Sequence, residues 1–532
     1  MSHGDAVDRH RADGPRPSLT ARAALRTLQV GVIAVVLVSA PYKSFDLDRF
    51  FVPKELVLNL TALAVSLLCL ARVKRLSLSR ADQLIALWLA LGAASALFAT
   101  NWWLGSRAFA VSLSGAACFW CARWLSRQGY SRALVGALAL AGVLGAITAL
   151  LQTYGLRTEL FSLNRAPGGT FGNRNFMAHL AVITLPALFF AGLRASSRAS
   201  LLRWCGGAAL VAASLVLSRS RAAWLALAAG LVVLLIAAVI ALRQRDGLLK
   251  LARLFLMVAA AAAGGAAALV VPNTLDWRSD SPYRDTAHGL VNFKKGSGHG
   301  RLIQYGTSAR MSLRHPLLGV GPGNWAVEYP SFAADNDPSL AQDGMTSNPW
   351  PSSDWIAFLS ERGAIALGAL LLALVALGTD GVRGLFARER SEDRLAAAVL
   401  LSTGVILVTV GMFDAVLLLP APALVGWSLL GALAPDARER KTIALSGPRR
   451  LLLAIGVAAV GALAVTRSAS QLLAMSTYSG AARVSTFARA SVLDPGSFRI
   501  QMRVAELYLR RGDCRRAASH ASAAQQIGRA HV

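Results

Sequence analysis

The chain has 532 residues, of which 55% are hydrophobic and 16% charged. That composition excludes a soluble globular protein and leaves room for about a dozen membrane crossings. The formal net charge of +27 does not point to nucleic acid, because Lys and Arg fall in short clusters between apolar runs and never along one continuous basic face.

The polar, basic start, residues 1–23, leads into a full-length apolar segment with no small-residue cleavage site, so it reads as a cytoplasmic tail and not as a signal peptide. A hydrocarbon core of about 30 Å takes roughly 20 apolar residues per helix. Thirteen runs qualify: 24–41, 55–71, 82–99, 104–122, 133–151, 176–193, 204–218, 222–242, 254–271, 355–377, 395–413, 416–434 and 451–466. The expected fold is therefore all-α, a polytopic membrane bundle of about 12–13 transmembrane helices over 24–466.

With the N-terminus inside, Arg72/Lys74/Arg75/Arg80, Arg123/Arg127/Arg132, Arg194/Arg198/Arg203, Arg243/Arg245/Lys250/Arg253, Arg383/Arg388/Arg390/Arg394 and Arg438/Arg440/Lys441/Arg449/Arg450 all face the cytoplasm, as the positive-inside rule requires. The loop 152–175, the long polar loop 272–354 and the whole tail after Thr466 then share the outer, periplasmic compartment. Cys69, Cys118, Cys121, Cys205 and Cys514 imply no disulfide framework, and Cys118 and Cys121, flanking Phe119-Trp120, read as ordinary helix positions.

Residues 467–532 change character. Ala488 and Pro495 close one helical unit, and Ala505, Tyr508, Gly512, Ala517 and Ala524 mark another, a pattern resembling tetratricopeptide (TPR) repeats. One and a half such units cannot bury a stable core, so the solenoid is expected to continue. The last six residues, Ile527 to Val532, look like translated adapter sequence, and the natural C-terminus is expected to be missing.

Outer-side cations have no topological job, and an arginine at depth is costly, about 2.5 to 3.5 kcal/mol on insertion scales. Arg219 and Arg221 lie in Ser218-Arg219-Ser220-Arg221-Ala222-Ala223-Trp224, the entire link between two spans. Arg219 serves headgroup snorkelling and ligand binding equally well; Arg221, beside a tight turn and an interfacial Trp, points to an anionic ligand. Arg301 opens an amphipathic segment, Arg301 to Leu313, either as a solvated face or as a bidentate partner for pyrophosphate. Gly319-Val320-Gly321-Pro322-Gly323-Asn324 is a turn whose backbone N–H groups, at Gly321 and Gly323, either approach a ligand or serve the turn alone; no Lys-Ser/Thr follows, so it is not a Walker motif. Gly168-Gly169-Thr170-Phe171-Gly172-Asn173-Arg174-Asn175 repeats that design with one cation, Arg174. Asp276, Asp280 and Asp285 interleave with Trp277-Arg278 and Arg284 and read as a solvated loop, with no metal site.

These pieces, in this order, resemble the O-antigen ligase family and its relatives, the O-antigen polymerases and the bacterial protein O-oligosaccharyltransferases. The shared signs are Pro53-Lys54, Gly169-Thr170-Phe171-Gly172-Asn173-Arg174-Asn175-Phe176, Ser220-Arg221-Ala222-Ala223-Trp224, Arg301 followed by His315-Pro316-Leu317-Leu318-Gly319-Val320-Gly321-Pro322-Gly323, and Asp354-Trp355 leading to Glu361-Arg362-Gly363. They cover residues 40 to 435. The resemblance implies a GT-C-type glycosyltransferase of the bacterial inner membrane, without metal or cofactor. It would move a glycan from undecaprenyl pyrophosphate to an acceptor hydroxyl, on lipid or protein, with inversion. Arg221 and Arg301 match the family's pyrophosphate-binding arginines.

The sequence departs from the family at one place: Ser352-Ser353 stands where relatives commonly carry His-Asn, the candidate general base. A serine hydroxyl does not take a proton near neutral pH. Asp354 is the nearest replacement, then Glu361, with His299 and His315 weaker. The departure also motivates an alternative, a non-catalytic protein that binds lipid-linked glycan or scaffolds an export system. The TPR-like tail favours a protein partner or acceptor. A transporter is disfavoured: no inverted repeat is evident, and Asp414, the one acid near a span, falls at a short outer turn.

Overall fold

Inside lipid a chain satisfies its own backbone polar groups, and helix is the way to do so within one segment. In the computed structural model all thirteen apolar runs are helical. Residues 18–162, 165–242, 247–277, 279–289, 296–341, 346–387, 391–434 and 441–527 are described.

The bundle begins with α1 (Leu19–Leu37) and α2 (Asp48–Leu70), packed side by side. The buried Lys54 ammonium donates to the carbonyls of Val36 and Val38 at the end of α1, where a cation suits the negative pole of the helix. A short ribbon, β1 (Arg75–Leu78) with β2 (Lys441–Ala444), closes the other end of the bundle in antiparallel register. Next come α3 (Arg80–Leu97), α4 (Trp102–Leu125), α5 (Ser131–Thr153), α6 (Arg174–Leu193), α7 (Arg198–Ser218), α8 (Arg221–Leu242) and α9 (Gly247–Val270). Ser79 and Asp82 form a capping box on α3, and Asp82 also pairs with the buried Arg123 at 2.8 Å, so two buried charges neutralise each other.

Among the described residues nine segments are long and apolar enough to cross a membrane. One of them, Trp102–Thr153, holds both α4 and α5, and two shorter apolar helices, Arg221–Ala237 and Pro420–Leu433, lie beside them. The remaining run is α3, which carries Arg80 and Asp82 in its first turn. The apolar stretch of α6 is 89% buried, against 17% for α9 and 11% for the long helix 447–479, so α6 is central and those two are peripheral.

The described parts of the long loop are structured. It carries α10 (Pro282–His288), α11 (Gly296–Arg314) and α12 (Trp325–Glu328), followed by α13 (Asp354–Ala387), α14 (Ser391–Phe413) and α15 (Pro420–Leu433). After β2, α16 (Gly447–Ser479) continues past Thr466, the expected end of the last span, because no Gly or Pro lies between Thr466 and Gly480. The tail then folds as α17 (Val484–Leu493), α18 (Phe498–Leu509) and α19 (Cys514–Ile527). Phe45, just before α2, and Val52, in its first turns, pack with Ala474, Met475, Ala490, Ile500 and Val504. Trp103 donates its indole N–H to the nearly buried Asp494, which also meets Arg467 at 3.7 Å; Asn101 Nδ2 donates to Ile527 O at 2.8 Å.

Thr274 reaches Thr153 O at 2.9 Å and Thr100 reaches Glu328 at 2.6 Å. The loop after α5, the long loop and the tail therefore gather at one end of the bundle, called here the loop end.

Candidate functional site

The link between α7 and α8 is only Arg219 and Ser220. Reversing direction in so short a space puts Arg219 at φ 54°, a left-handed conformation that costs a side-chain-bearing residue on the order of 1 kcal/mol. The strain aims its guanidinium at the long loop: Nε donates to Thr286 Oγ1 at 2.9 Å, and the cation lies 4.6 Å from the centre of the Trp277 ring. Burial pushes Arg219 below its ordinary pKa, while Tyr283 and Asp285 pull it back. Arg174, at the start of α6, lies 4.9 Å from the same ring, so one indole holds two cations. Arg221 opens α8 and donates to Gly289 O at 2.6 Å.

Arg301 sits in the first turns of α11. Tyr305, one turn on, directs its hydroxyl at the carbonyls of Ser352 (2.6 Å) and Met412 (2.9 Å), and Ser352 N donates to Gln304 Oε1 at 2.7 Å. These bonds fasten α11 to the start of α13 and the end of α14. Burial raises the Tyr305 phenol to about 12, so it remains a donor at neutral pH. Held there, Arg301 lies within electrostatic range of Arg221, His179 and Tyr305. Two guanidiniums from distant parts of the chain thereby lie within electrostatic range of each other at the loop end.

Beside them lies a pair that sequence reasoning missed or set aside. His179, in the second turn of α6, is 0% exposed, and neither ring nitrogen has a hydrogen-bond partner among the described residues. Its Nε2 is 3.7 Å from Asp414 Oδ2. Asp414 caps the turn after α14 through Ala415 N, 2.9 Å from Oδ1. A buried imidazole without partners is uncommon and calls for a functional reason. The available signal was an ionisable residue inside an apolar run, just beyond Arg174-Asn175-Phe176.

The two carboxylates singled out from sequence occupy different surroundings. Asp354 is 0% exposed, and its oxygens accept from the backbone of Val416 (2.9 Å), Leu417 (2.9 Å) and Leu418 (3.4 Å). It ties the start of α13 to the turn before α15. Removing a buried acceptor strands those donors at about 1–3 kcal/mol each. Asp354→Ala is accordingly expected to lower the melting temperature in detergent markedly, with Asp354→Asn milder; a melting temperature unchanged in Asp354→Ala would refute the tie. Glu361 faces the N–H groups of Gly323 and Trp325, the latter at 3.4 Å, while Oε2 has no hydrogen-bond partner among the described residues. It lines a cavity of about 80 Å³ with Phe51, Glu55, Arg107, Trp350 and Leu418.

The Gly-rich turn is a seam. Val320 N donates to Ser360 O and Gly321 N to Glu361 O, both at 2.9 Å, so these N–H groups are engaged within the protein. Gly363 kinks α13 at φ 82°, and a Cβ there would meet Leu317 O at 2.1 Å. Glycine is required on both sides because two backbones touch. His315 belongs to the same turn, its N–H bonded to Met311 O at 3.2 Å. His299 lies at the start of α11.

A helical bundle with nine apolar segments long enough to cross a membrane among the described residues, arginines and an acid–imidazole pair at one end, and helices in the loop above them defines a polytopic membrane protein. The O-antigen ligase family profile matches residues 206–371, from within α7 to within α13. That segment contains Arg219, Arg221, Arg301, Gly321, Gly323, Asp354 and Glu361, and the match supports the family resemblance carried by the motifs. No curated protein sequence matches the chain.

Proposed function

We propose that the protein is a glycosyltransferase of the bacterial cytoplasmic membrane that moves a glycan from undecaprenyl pyrophosphate to an acceptor hydroxyl, with the loop end facing the periplasm. The observation that carries this reading is the buried His179–Asp414 pair, 3.7 Å apart, with Arg221 and Arg301 in electrostatic range of each other and Arg301 in range of His179. As the bond between the anomeric carbon and the pyrophosphate oxygen breaks, its electron pair leaves with the diphosphate, and fixed guanidiniums in a water-poor site stabilise the added charge. Arg174 and Arg219, steadied by Trp277, extend the positive field without a metal ion. The acceptor oxygen forms the new bond from the opposite face and gives up its proton. Asp414 takes that proton in this reading and His179 orients it, which fills the role left open by Ser352-Ser353. Asp354, with its oxygens already engaged, holds the local fold. The TPR-like tail, clasped to the same end, is placed to present a protein partner or protein acceptor.

The test is transfer in proteoliposomes containing the full chain, labelled glycan on undecaprenyl pyrophosphate and a lipid or protein acceptor. Label is expected to reach the acceptor with release of undecaprenyl pyrophosphate. Folded protein that binds the donor yet transfers nothing to either acceptor would favour the second reading, a glycan-binding scaffold, for which the absent His-Asn is the motive.

A further inference from the structure

A second cavity opens at the loop end, about 900 Å³ in volume, between the α1–α2 link, the loop after α5, the last part of the long loop and α18 of the tail. Its wall carries five basic side chains, Lys43, Arg49, Arg157, Arg165 and Arg499, against two acids, Asp46 and Glu159. Three of the five are engaged in building it. Arg49 donates to Glu159 O at 2.8 Å and pins the loop to α2, Lys43 pairs with the Glu159 carboxylate at 2.6 Å, and Arg499 is held by Asp46 at 3.8 Å and by Ser44 O. Arg157 and Arg165 are exposed, and neither side chain has a hydrogen bond, ion pair or ring contact among the described residues. Like charges left unneutralised in one hollow repel one another, and an anion relieves that repulsion.

The rest of the wall is suited to sugar. Thr158, Ser162 and Ser347 offer hydroxyls, while Phe50, Phe161 and Thr346 are buried within the wall itself. Nor is the cavity isolated from the transfer site. Arg165 is an electrostatic neighbour of Arg174, which shares the Trp277 ring with Arg219, so cations run from the hollow toward Arg221 and Arg301.

We infer that this cavity is a subsite for an acidic saccharide, one bearing carboxylate or phosphate, with Arg157 and Arg165 as its anion-reading residues. The inference deepens the proposed function and rests on it for the ligand's origin, which is either the transferred glycan or the acceptor. Binding is measured apart from transfer, using purified full-length protein in nanodiscs titrated with tetragalacturonate and with maltotetraose as a neutral probe of equal length. The acidic probe is expected to bind and the neutral one to bind far more weakly. Arg157→Ala/Arg165→Ala should weaken the acidic probe about tenfold or more, Arg157→Lys/Arg165→Lys should retain most of the binding, and added salt should weaken it in the wild type. Both substitutions fall on exposed side chains, so folding is retained. Equal affinity for the two probes, or an Ala variant that binds like wild type, overturns the subsite. Transfer kinetics then identify the source, since the Ala variant raises KM for whichever charged substrate, donor or acceptor, occupies the cavity; an unchanged KM for both also overturns it. Loss of transfer with probe binding intact would instead count against the proposed reaction alone.

Discussion

Replacing Arg301 by Ala is expected to lower the transfer rate by about 10²–10³-fold, the usual cost of losing one fixed donor to a developing oxyanion. The effect should fall on kcat, because the charge on the departing diphosphate grows in the transition state and a group aimed at it contributes most there. Arg221→Ala should act in the same range, and the double variant should lose less than the product of the two, since both guanidiniums serve one anion. Arg301→Lys should recover part of the rate but not all, as an ammonium meets a diphosphate as a point charge and cannot bind it bidentately. Initial rates in proteoliposomes decide the matter, with protein recovery in detergent confirming the fold. A folded Arg301→Ala protein that transfers at the wild-type rate would remove Arg301 from the reaction.

The second large effect is expected at Asp414. Asp414→Asn keeps size and hydrogen bonding but removes the proton acceptor, so kcat should fall by about 10²–10⁴-fold with KM little changed. His179→Ala should reduce kcat less, because His179 acts on the reaction through Asp414, 3.7 Å away. It should also alter the pH–rate profile, a change that a loss of packing alone would not produce. Asp354→Asn provides the contrast: its carboxylate already receives N–H groups from Val416 and Leu417 at 2.9 Å, so stability is expected to suffer more than kcat. Full activity in Asp414→Asn, with strong loss in a well-folded Asp354→Asn, would reverse the two assignments.

The helices were legible because membrane spans need only composition over a fixed length, and runs such as 176–193 and 395–413 have it. The tight α7–α8 turn was legible for the same reason, since two apolar runs meet around Ser218-Arg219-Ser220-Arg221 with nothing else between them. What escaped was everything that depends on remote contacts. A lone His179 among apolar neighbours reads as a core residue until the turn after α14 is known to bring Asp414 to it. The Gly-rich turn was read correctly as a turn, but its partner was hidden: Glu361-Arg362-Gly363 interrupts an apolar run, yet nothing local says that the helix kinks there or that the kink meets the turn. The continuation of α16 was hidden by polarity: Arg467, Ser468 and Gln471 mark the end of an apolar run, yet none of them ends a helix.

The brevity of the α7–α8 connection has a geometric corollary. With a single serine between Arg219 and the first residue of α8, the guanidiniums cannot slide along the bilayer normal independently of the two rods that carry them. On the proposed reading, bond exchange occurs at one preset altitude above the lipid tails. The protein would then gauge where the polyprenol ends and remain indifferent to how many sugars trail beyond it.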